Sequence, residues 1–371
     1  MGRSLQHLRV AVVHDWLTSM RGGEKVLEVF CELFPRATLY TLLHNRGTVS
    51  PAIERMNIKT SFVQYLPLKS SRYRNYLPLF PAAIESFDLS GYDLVLSSRH
   101  CVAKGIISPP NALHISYCHT PMRYVWDMYE EYFGRGRAGW LTRSAMEIVA
   151  PRLRAWDVQS GNRVHSYIAN SAHVAERIRR IYGRESGVIH PPVDTSLFSI
   201  SKKDEGYYLI VSALVPYKRV DIAIEAFNKS GERLVVVGTG PEIQKLKSLA
   251  RSNIEFVGWQ DNRSLARYYA GCRALIFPGV EDFGIVPVEA MASGKPVIAY
   301  AKGGALETVV EQGRYPTGVF FHEQTPDALL DAVARAKKKK WSPAALRTHA
   351  ERFDRRLFKQ KILRYVEEII G

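Results

Sequence analysis

Residues 274–301 read ALIFPGVEDFGIVPVEAMASGKPVIAYA, a stretch that contains a strand, a loop, a helix and a second strand. The runs ALIFPG and PVIAYA are short, apolar and bounded by glycine or proline, which is typical of buried strands. Between them, Pro287 suits the first turn of a helix and Gly294 suits its end. Two strands separated by a helix predict one βαβ unit of a parallel sheet.

The same alternation of strands and helices runs through the rest of the chain. The run LRVAVVHDW (residues 8–16) predicts a strand, GGEKVLEVFCELF predicts a helix after a glycine turn, and a second series begins near residue 207. Residues 191–205 separate the two series and are rich in proline, serine and charge, which indicates a linker. We therefore predict an α/β protein with two Rossmann-like, doubly wound domains, residues 1–190 and 206–352. An inter-domain cleft is expected to face the carboxyl ends of the strands.

The composition indicates a folded protein with an anionic partner. The 371 residues are 46% hydrophobic and carry a formal net charge of +15, so a nucleotide, a nucleic acid, a phospholipid or an anionic glycan is expected to bind. The basic residues are spread along the chain without a recognised nucleic-acid motif, so we expect no nucleic acid. The cysteines form no CxxC pair and no zinc spacing, which favours a reduced cytosolic compartment. No apolar run reaches the roughly 18 residues of a membrane span.

Two glutamates, Glu281 and Glu289, stand in the opening stretch, the first in the loop and the second in the helix. Both can face the carboxyl end of the sheet, together with backbone N–H groups at the start of the helix. Carboxylates accept hydrogen bonds from sugar hydroxyls, and N–H groups donate to phosphate oxygens, so this set suits a sugar nucleotide. The spacing alone leaves an alternative open, because two solvated glutamates on a loop and a helix surface would look the same.

The segment EDFGIVPVE (residues 281–289) resembles the E-x7-E signature of retaining glycosyltransferases of family GT4, which have the GT-B fold. Other segments are similar to the same family and follow its order: GGE, VPYKRVDIAIEAF, VVGTGP, FVGW and GGALE. The resemblance covers nearly the entire chain. The segments VAVVHDWLTSMRGGEKVLE and ISYCHTPMRYVWD are most similar to the WbaZ-type O-antigen mannosyltransferase branch. The resemblance implies that the first domain binds the acceptor, that the second binds the donor, and that the last helix (residues 353–371) packs back onto the first.

The resemblance also assigns roles to individual residues. Glu281 would hydrogen-bond the donor sugar, Glu289 would bind the ribose diol, and Lys218 would neutralise the diphosphate. His119 would lie near the reacting centre, so that His119, Lys218 and Glu281 are the expected catalytic residues. Further donor contacts are expected from Gly22, Gly23, Ala213, Arg219, Val257 and Trp259, and from the backbone of Phe283, Gly284 and Ile285.

Elementary chemistry supports part of this assignment. Gly22 and Gly23 follow a strand and open a helix, as an anion-binding loop does. His119 directly follows a predicted buried strand. Each feature alone is also compatible with a structural role, since a Gly-Gly turn is often only a turn and Lys218 alone would be a surface lysine.

At one position the sequence departs from the family pattern. The family usually carries an arginine before the donor lysine, where this chain has Ala213 in VSALVPYK. Losing such a contact to a transition state costs about 2–4 kcal/mol. A neighbour such as Arg219 compensates for the loss, or the protein binds a donor and transfers it weakly or not at all.

No D-x-D motif for a catalytic metal occurs in the sequence, and helix N-termini together with Lys218 would take the place of a metal. We therefore expect a metal-independent, retaining hexosyltransferase without a cofactor other than its sugar nucleotide. Similarity to the mannosyltransferase branch makes GDP-mannose the expected donor. A UDP-sugar-dependent GT4 enzyme is the alternative, and epimerases and phosphorylases share the fold.

Residues 65–87 (YLPLKSSRYRNYLPLFPAAIESF) interleave aromatic residues and leucines with Lys69, Arg72 and Arg74. Cationic amphipathic segments of this kind bind anionic bilayers. With Glu24 of the GGE motif, these residues are expected on the acceptor side, where the partner is a lipid-linked oligosaccharide or glycan of surface polysaccharide synthesis. We expect a bacterial, cytoplasmic protein that is peripheral on the inner leaflet, and a core helix with solvated basic residues is the alternative.

Overall fold

The computed structural model describes residues 7–134, 139–201 and 204–371, which form two compact units. Unit 1 combines the described residues up to Pro191 with Phe358–Gly371, and unit 2 is Pro192–Leu357. Within the described ranges, no helix has both the length and the apolar character that crossing a bilayer requires.

Unit 1 is built around a seven-stranded parallel sheet. In chain order its strands are β1 (Val10–His14), β2 (Thr38–Thr41), β3 (Asn57–Thr60), β4 (Leu94–Arg99), β5 (Leu113–Cys118), β6 (Ser166–Ala169) and β7 (Ser186–Val188). Their spatial order is β3-β2-β1-β4-β5-β6-β7, and neighbouring strands run parallel. Alternate residues of β1 belong to two different hydrophobic cores, Ala11 and Val13 to one, Val10 and Val12 to the other. Both faces of the sheet are therefore covered.

The covering helices of unit 1 are α1 (Gly22–Leu33), α2 (Pro51–Glu54), α3 (Lys69–Arg72), α4 (Phe80–Glu85), α5 (Tyr129–Phe133), α6 (Trp140–Gly161), α7 (Ala172–Tyr182) and, from residue 358 onward, α15 (Arg355–Ile370). Short 3₁₀ helices lie at Phe62–Tyr65, Tyr73–Leu79 and Ala103–Gly105. Phe358, Ile362 and Val366 of α15 lie in the same core as α1. The rings of Phe30 and Phe358 stack with their centres 6.4 Å apart.

Unit 2 contains a six-stranded parallel sheet. Its strands are β8 (Tyr207–Val211), β9 (Arg233–Val237), β10 (Ile254–Gly258), β11 (Leu275–Phe277), β12 (Val297–Tyr300) and β13 (Gly318–Phe321), in the spatial order β10-β9-β8-β11-β12-β13. Its helices are α8 (Val220–Ser230), α9 (Ile243–Leu249), α10 (Asn262–Gly271), α11 (Ile285–Ala292), α12 (Ala305–Thr308), α13 (Pro326–Lys338) and α14 (Pro343–Glu351), with 3₁₀ helices at Thr195–Leu197 and Pro216–Lys218. The two parallel sheets confirm the predicted fold class.

From Pro192 onward, the segment that we predicted as a linker belongs to unit 2. Val193 is completely buried, donates a hydrogen bond of 3.0 Å to the carbonyl of Phe353 and accepts one of 3.0 Å from the N–H of Arg355. Phe198 is also buried in a core of this unit. The segment of residues 191–205 is rich in proline and serine, so its composition does not predict that these apolar residues are buried.

The strand order reverses at one point in each sheet. In unit 1 this point lies between β1 and β4, and in unit 2 it lies between β8 and β11. The loops that follow the two strands at a reversal point leave toward opposite faces of the sheet, and a crevice forms between them at the carboxyl ends of the strands. Doubly wound sheets bind their ligands in this crevice. Side chains that follow these four strands are therefore the first candidates for a site.

His114 of β5 is completely buried, and its Nε2 lies 2.9 Å from Oγ of Ser97. Burial, followed by the nearby charges of His165 and Lys104, lowers the pKa of His114 to about 3. A histidine of the unfolded chain titrates near pH ~6.5. The unfolded state therefore takes up the proton first. The stability that neutral His114 contributes is complete above that pH and is lost as the pH falls toward the folded pKa.

Between about pH 7.5 and about pH 5.0, we expect the wild-type protein to lose about 2 kcal/mol more unfolding free energy than a His114→Gln variant. Glutamine keeps a polar partner for Ser97 but does not titrate. Urea unfolding followed by tryptophan fluorescence at the two pH values measures the difference, and equal losses in both proteins would contradict the prediction.

Candidate functional site

The ends of β8 and β11 bring Lys218 and Glu281 together at the switch point of unit 2. Lys218 ends the 3₁₀ helix that follows β8, and Glu281 lies in the loop that follows β11. Their ammonium and carboxylate groups form an ion pair in which the side chains are 13% and 28% exposed. The ammonium also lies 5.3 Å from the ring centre of Tyr217. Because the pair is largely shielded from solvent, its charges are screened less than charges on an open surface.

Two glycines allow this loop to approach its neighbours. A Cβ on Gly279 would lie 2.8 Å from Cα of Lys218, and a Cβ on Gly304 would lie 2.3 Å from Cα of Phe283. No side chain fits at such distances, so glycine is required for the backbones to pack. The N–H of Gly304 donates a hydrogen bond of 2.9 Å to the carbonyl of Glu281. The GGALE segment thus holds the loop that carries Glu281.

Helix α11 begins directly after this loop. Gly284 precedes it with φ of +89°, a left-handed conformation that suits glycine. Phe283 is buried and its ring centre lies 5.6 Å from that of Phe353, which anchors the loop to the core. The first N–H groups of a helix have no partner within the helix, so the N–H of Ile285 lies at the positive end of the helix dipole. This end of α11 can receive an anion.

Glu289 lies inside α11 and is only 5% exposed. Its Oε2 accepts a hydrogen bond of 2.8 Å from the hydroxyl of Tyr269 on α10. Burial, followed by the charge of Glu289, raises the pKa of Tyr269 well above its usual value, so the hydroxyl remains a donor. A ribose diol would therefore share this carboxylate with an internal partner.

Replacing Tyr269 with phenylalanine is expected to lower the free energy of unfolding by about 1.5–3 kcal/mol, because a buried carboxylate loses a charge-assisted hydrogen bond. Tyr268→Phe on the same helix is the matched control. The hydroxyl of Tyr207 donates a hydrogen bond of 2.8 Å to the backbone carbonyl of Tyr268, and the substitution leaves this bond in place. Urea unfolding of both variants measures the effect. A change below about 0.5 kcal/mol for Tyr269→Phe, the size typical of surface substitutions, would refute the expectation.

The structure places Lys218, and not Arg219, against Glu281. Arg219 has φ of +51°, and its Nη2 lies 3.2 Å from Oδ2 of Asp221, so a neighbouring carboxylate holds the guanidinium. Ala213 is exposed after β8, and its carbonyl accepts a hydrogen bond of 3.0 Å from Oγ of Ser212. Arg219, the neighbour expected to compensate for Ala213, is therefore paired with a carboxylate of its own segment in this structure.

The end of β10 carries the two residues expected near a nucleobase. Val257 is half-buried and packs against a core of unit 2, whereas the side chain of Trp259 is 74% exposed. The side-chain amide of Gln260 donates a hydrogen bond of 2.8 Å to the carbonyl of Val257. An exposed indole beside a strand end offers a flat apolar surface on which an aromatic base can stack.

In unit 1, the ends of β1, β4 and β5 bring histidines together beneath the glycine pair. Nε2 of His119 lies 2.8 Å from Oγ of Ser98, and a Cβ on Gly23 would lie 3.5 Å from the same nitrogen. Gly22 is the first residue of α1. Burial, followed by the charges of His14 and His100, lowers the pKa of His119 well below its usual value. The imidazole is therefore neutral near pH ~7, and it can donate one hydrogen bond and accept another.

Asp15 fixes the loop that follows β4. It is completely buried, and its carboxylate accepts hydrogen bonds of 2.7, 2.9, 2.7 and 2.8 Å from the N–H groups of His100, Cys101, Val102 and Ala103. Nδ1 of His100 lies 3.1 Å from the same carboxylate. Burial raises the pKa of Asp15, but the charges of His100 and His14 and these N–H groups outweigh burial, and the pKa is lowered. Asp15 therefore remains a carboxylate that positions the loop beside His119.

Glu24 and the basic segment lie in different environments. Glu24 is buried, its Oε2 accepts a hydrogen bond of 2.9 Å from the N–H of Arg21, and its Oε1 lies 3.7 Å from Nε2 of His14. In contrast, Arg72 and Arg74 are exposed and Lys69 is half-buried. The Arg74 guanidinium lies 5.3 Å from the ring centre of Tyr73.

Several residues of these sites lie outside the sequence motifs. Tyr269 stands in a helix that carries no signature, and its bond to Glu289 depends on how α10 packs against α11. His14, Asp15 and Ser98 could be found, because they lie at the ends of apolar strand runs, where parallel strands bring side chains to one edge.

Two family models match the chain. Residues 21–197 match Glycosyltransferase Family 4, and residues 194–353 match Glycosyl transferases group 1. The chain is 30% identical over 254 residues to D-inositol 3-phosphate glycosyltransferase 2 of Catenulispora acidiphila, which covers 55% of this chain and 59% of the relative. It is 34% identical over 142 residues to a GDP-mannose-dependent alpha-(1-6)-phosphatidylinositol monomannoside mannosyltransferase of Mycobacterium tuberculosis, over 33% of this chain and 36% of the relative. These matches span less than two thirds of each relative.

Solved structures of low sequence identity share the fold. Anabaena HepE in complex with UDP-glucose superposes with a TM-score of 0.72 at 18% identity and covers 98% of this chain and 100% of its own. WaaG, a glycosyltransferase involved in lipopolysaccharide biosynthesis, superposes with a TM-score of 0.65 at 16% identity and covers 98% and 99%. With the two family models spanning residues 21–353, the chain belongs to the group 1, family 4 glycosyltransferases of the GT-B fold.

Proposed function

We propose that this protein is a retaining hexosyltransferase that moves mannose from GDP-mannose to a saccharide acceptor. The family membership and the geometry at the ends of β8 and β11 support transfer from a sugar nucleotide. Mannose is favoured by the similarity of the sequence to the WbaZ-type O-antigen branch, and a distant relative is named as GDP-mannose-dependent. In this proposal the product enters surface polysaccharide synthesis in a bacterium.

The Lys218–Glu281 ion pair is the observation that carries the proposal. When the bond between the sugar and the diphosphate breaks, negative charge grows on the leaving oxygen. The Lys218 ammonium and the N–H groups at the start of α11 would stabilise that charge. Glu281, released from Lys218 as the diphosphate binds, would accept hydrogen bonds from sugar hydroxyls. These groups perform the task that a metal performs elsewhere, so we propose a metal-independent reaction.

Retention of configuration follows from attack on the face that the leaving group occupies. The acceptor oxygen forms the new bond to the sugar carbon, the carbon–oxygen bond to the diphosphate breaks, and the acceptor proton passes to a diphosphate oxygen. This step needs no protein base. Glu281 is therefore assigned to sugar binding and not to nucleophilic attack.

A titration with GDP-mannose, GDP, GMP and UDP-glucose tests the donor, using calorimetry on the full chain. We expect GDP to bind at least about tenfold more tightly than GMP, because the second phosphate adds charge-assisted hydrogen bonds. Tighter binding of UDP-glucose than of GDP-mannose would favour the alternative donor, which agrees with the UDP-glucose bound to the Anabaena neighbour. Failure of every nucleotide to bind would overturn the proposal.

Transfer to an acceptor tests catalysis, with the mannosylated product detected by mass spectrometry in the presence of EDTA. Donor binding without transfer would indicate the inactive relative that Ala213 suggests. Dependence of transfer on added Mg²⁺ would contradict metal independence.

The acceptor is proposed to be a lipid-linked oligosaccharide at the inner leaflet of the cytoplasmic membrane. The segment from Phe62 to Leu79 supports docking there, because Leu68 is 61% exposed among the basic residues Lys69, Arg72 and Arg74. In a flotation experiment at low salt, we expect the protein to bind anionic vesicles and to float with them. The Arg72→Gln/Arg74→Gln variant is expected to show a smaller vesicle-bound fraction. Equal flotation with neutral and anionic vesicles would refute electrostatic docking.

A further inference from the structure

A cavity of about 1010 Å³ opens on unit 1 beside the edge strand β3. One wall consists of Met56, Ile58 and Thr60, alternate residues that share one face of an extended chain. The other walls are the loop at residues 44–46, after β2, together with Glu54 and with residues 64, 65, 69 and 70. Small-molecule sites usually measure about 300–1,000 Å³, so the cavity can hold a ligand the size of a short saccharide.

The frame of this cavity is held by internal hydrogen bonds. Oε1 of Gln64 accepts a hydrogen bond of 2.8 Å from the N–H of His44, and Nε2 of Gln64 donates one of 3.2 Å to the carbonyl of the same residue. Oε1 of Glu54 accepts a hydrogen bond of 2.7 Å from the N–H of Gly47 and lies 3.2 Å from Nε2 of His44. The negative charge of Glu54 is therefore already engaged, and the walls are preorganised.

Two cations and one aromatic ring of the lining are left for a ligand. Arg46 and Lys69 face the cavity, and among the residues that the structure describes neither forms an ion pair. Tyr65, also in the lining, is 84% exposed. A guanidinium and an ammonium bind phosphate or carboxylate groups. An exposed phenol ring offers an apolar face and a polar edge, which matches a sugar ring that carries C–H groups on its faces and hydroxyls around its edge.

We propose that this cavity binds a saccharide with an anionic substituent, a phosphate or a carboxylate. Arg46 and Lys69 hold the anion, and the ring of Tyr65 packs against the apolar face of the sugar. The proposal deepens the proposed function and rests on it in one respect: the saccharide is the acceptor, so this site selects acidic over neutral acceptors.

Saturation-transfer NMR and titration on the full chain test the site with mannose 6-phosphate, glucuronate, mannose and inorganic phosphate as probes. The two acidic sugars are expected to bind at least about tenfold more tightly than mannose, since each adds charge-assisted hydrogen bonds. Mannose 6-phosphate is expected to bind more tightly than inorganic phosphate, because only the sugar contacts Tyr65. A preference between the two acidic sugars identifies the substituent.

Three variants locate the binding. Arg46→Gln/Lys69→Gln is expected to abolish the preference for acidic sugars. Tyr65→Ala is expected to weaken the binding of all three sugars and to leave the affinity for inorganic phosphate unchanged. Lys361→Gln/Arg364→Gln, which removes the same charge from exposed positions of α15, is the matched control and leaves binding unchanged.

The proposed site is refuted if mannose and the acidic sugars bind equally well. It is also refuted if the Arg46→Gln/Lys69→Gln variant binds the acidic sugars as tightly as the wild type does. Titration of the same samples with GDP-mannose separates the two proposals. A wild-type protein that binds the nucleotide sugar but none of the acidic sugars refutes the site alone. A protein that binds acidic sugars through Arg46 and Lys69 but no nucleotide refutes the proposed function and leaves the site standing.

Discussion

A Lys218→Met variant is expected to transfer the hexose about 10²–10³-fold more slowly than the wild type, the usual loss when one group that stabilises the developing charge is removed. The ammonium of Lys218 lies against Glu281 at the ends of two adjacent strands. Methionine keeps an unbranched apolar chain of similar length, so the loss reports the charge. The effect should fall mainly on kcat, because the interaction strengthens as the diphosphate leaves.

Steady-state kinetics with a saturating acceptor measure this effect, and Lys247→Met, at an exposed position of α9, is the matched control. Thermal unfolding of both variants establishes that they fold. A loss below about threefold in kcat for a folded Lys218→Met enzyme would show that the ammonium does not act in the transition state.

The second large effect is expected for Gly304→Ala. The added Cβ would lie 2.3 Å from Cα of Phe283 and 2.4 Å from its carbonyl oxygen, and both are backbone atoms that cannot rotate away. The GGALE segment must therefore move from the loop that carries Glu281. We expect a loss of about 3 kcal/mol in unfolding free energy, at the upper end of overpacking, together with weaker nucleotide binding.

Gly231→Ala is the control in the same unit. Gly231 has φ of +71°, but no heavy atom lies within 4 Å of its added Cβ, so only the left-handed conformation costs energy, about 1 kcal/mol. Urea unfolding and GDP titration compare the two variants. If Gly304→Ala and Gly231→Ala were equally stable and bound GDP equally well, the contact between the two loops would not hold the site.

The alternation of strands and helices predicts the fold because it depends on local patterns. Runs such as VAVV and LVL are short and apolar, and helical patterns separate them from the next strand. The composition of residues 191–205, rich in proline and serine, does not reveal that Val193 forms hydrogen bonds with residues 353 and 355.

The site is only partly readable from the sequence. The spacing of Glu281 and Glu289 predicts a loop residue and a helix residue, but not that Lys218 pairs with the first and Tyr269 with the second. Both partners come from other elements of the chain, and their positions follow from strand order and helix packing. The sequence also does not predict the conformation of Arg219. Its backbone is left-handed, and its guanidinium pairs with Asp221.

Hydrogen exchange of the full chain with and without GDP-mannose tests the central claim most directly, namely that the loop of Glu281 and the start of α11 receive the sugar diphosphate. The nucleotide sugar is expected to slow exchange at the amides of residues 283–286, which would donate to the sugar and phosphate oxygens, and in the segment of residues 303–306 that holds the loop. Saturating GDP-mannose that leaves exchange at both segments unchanged, while it slows exchange elsewhere, would contradict the account.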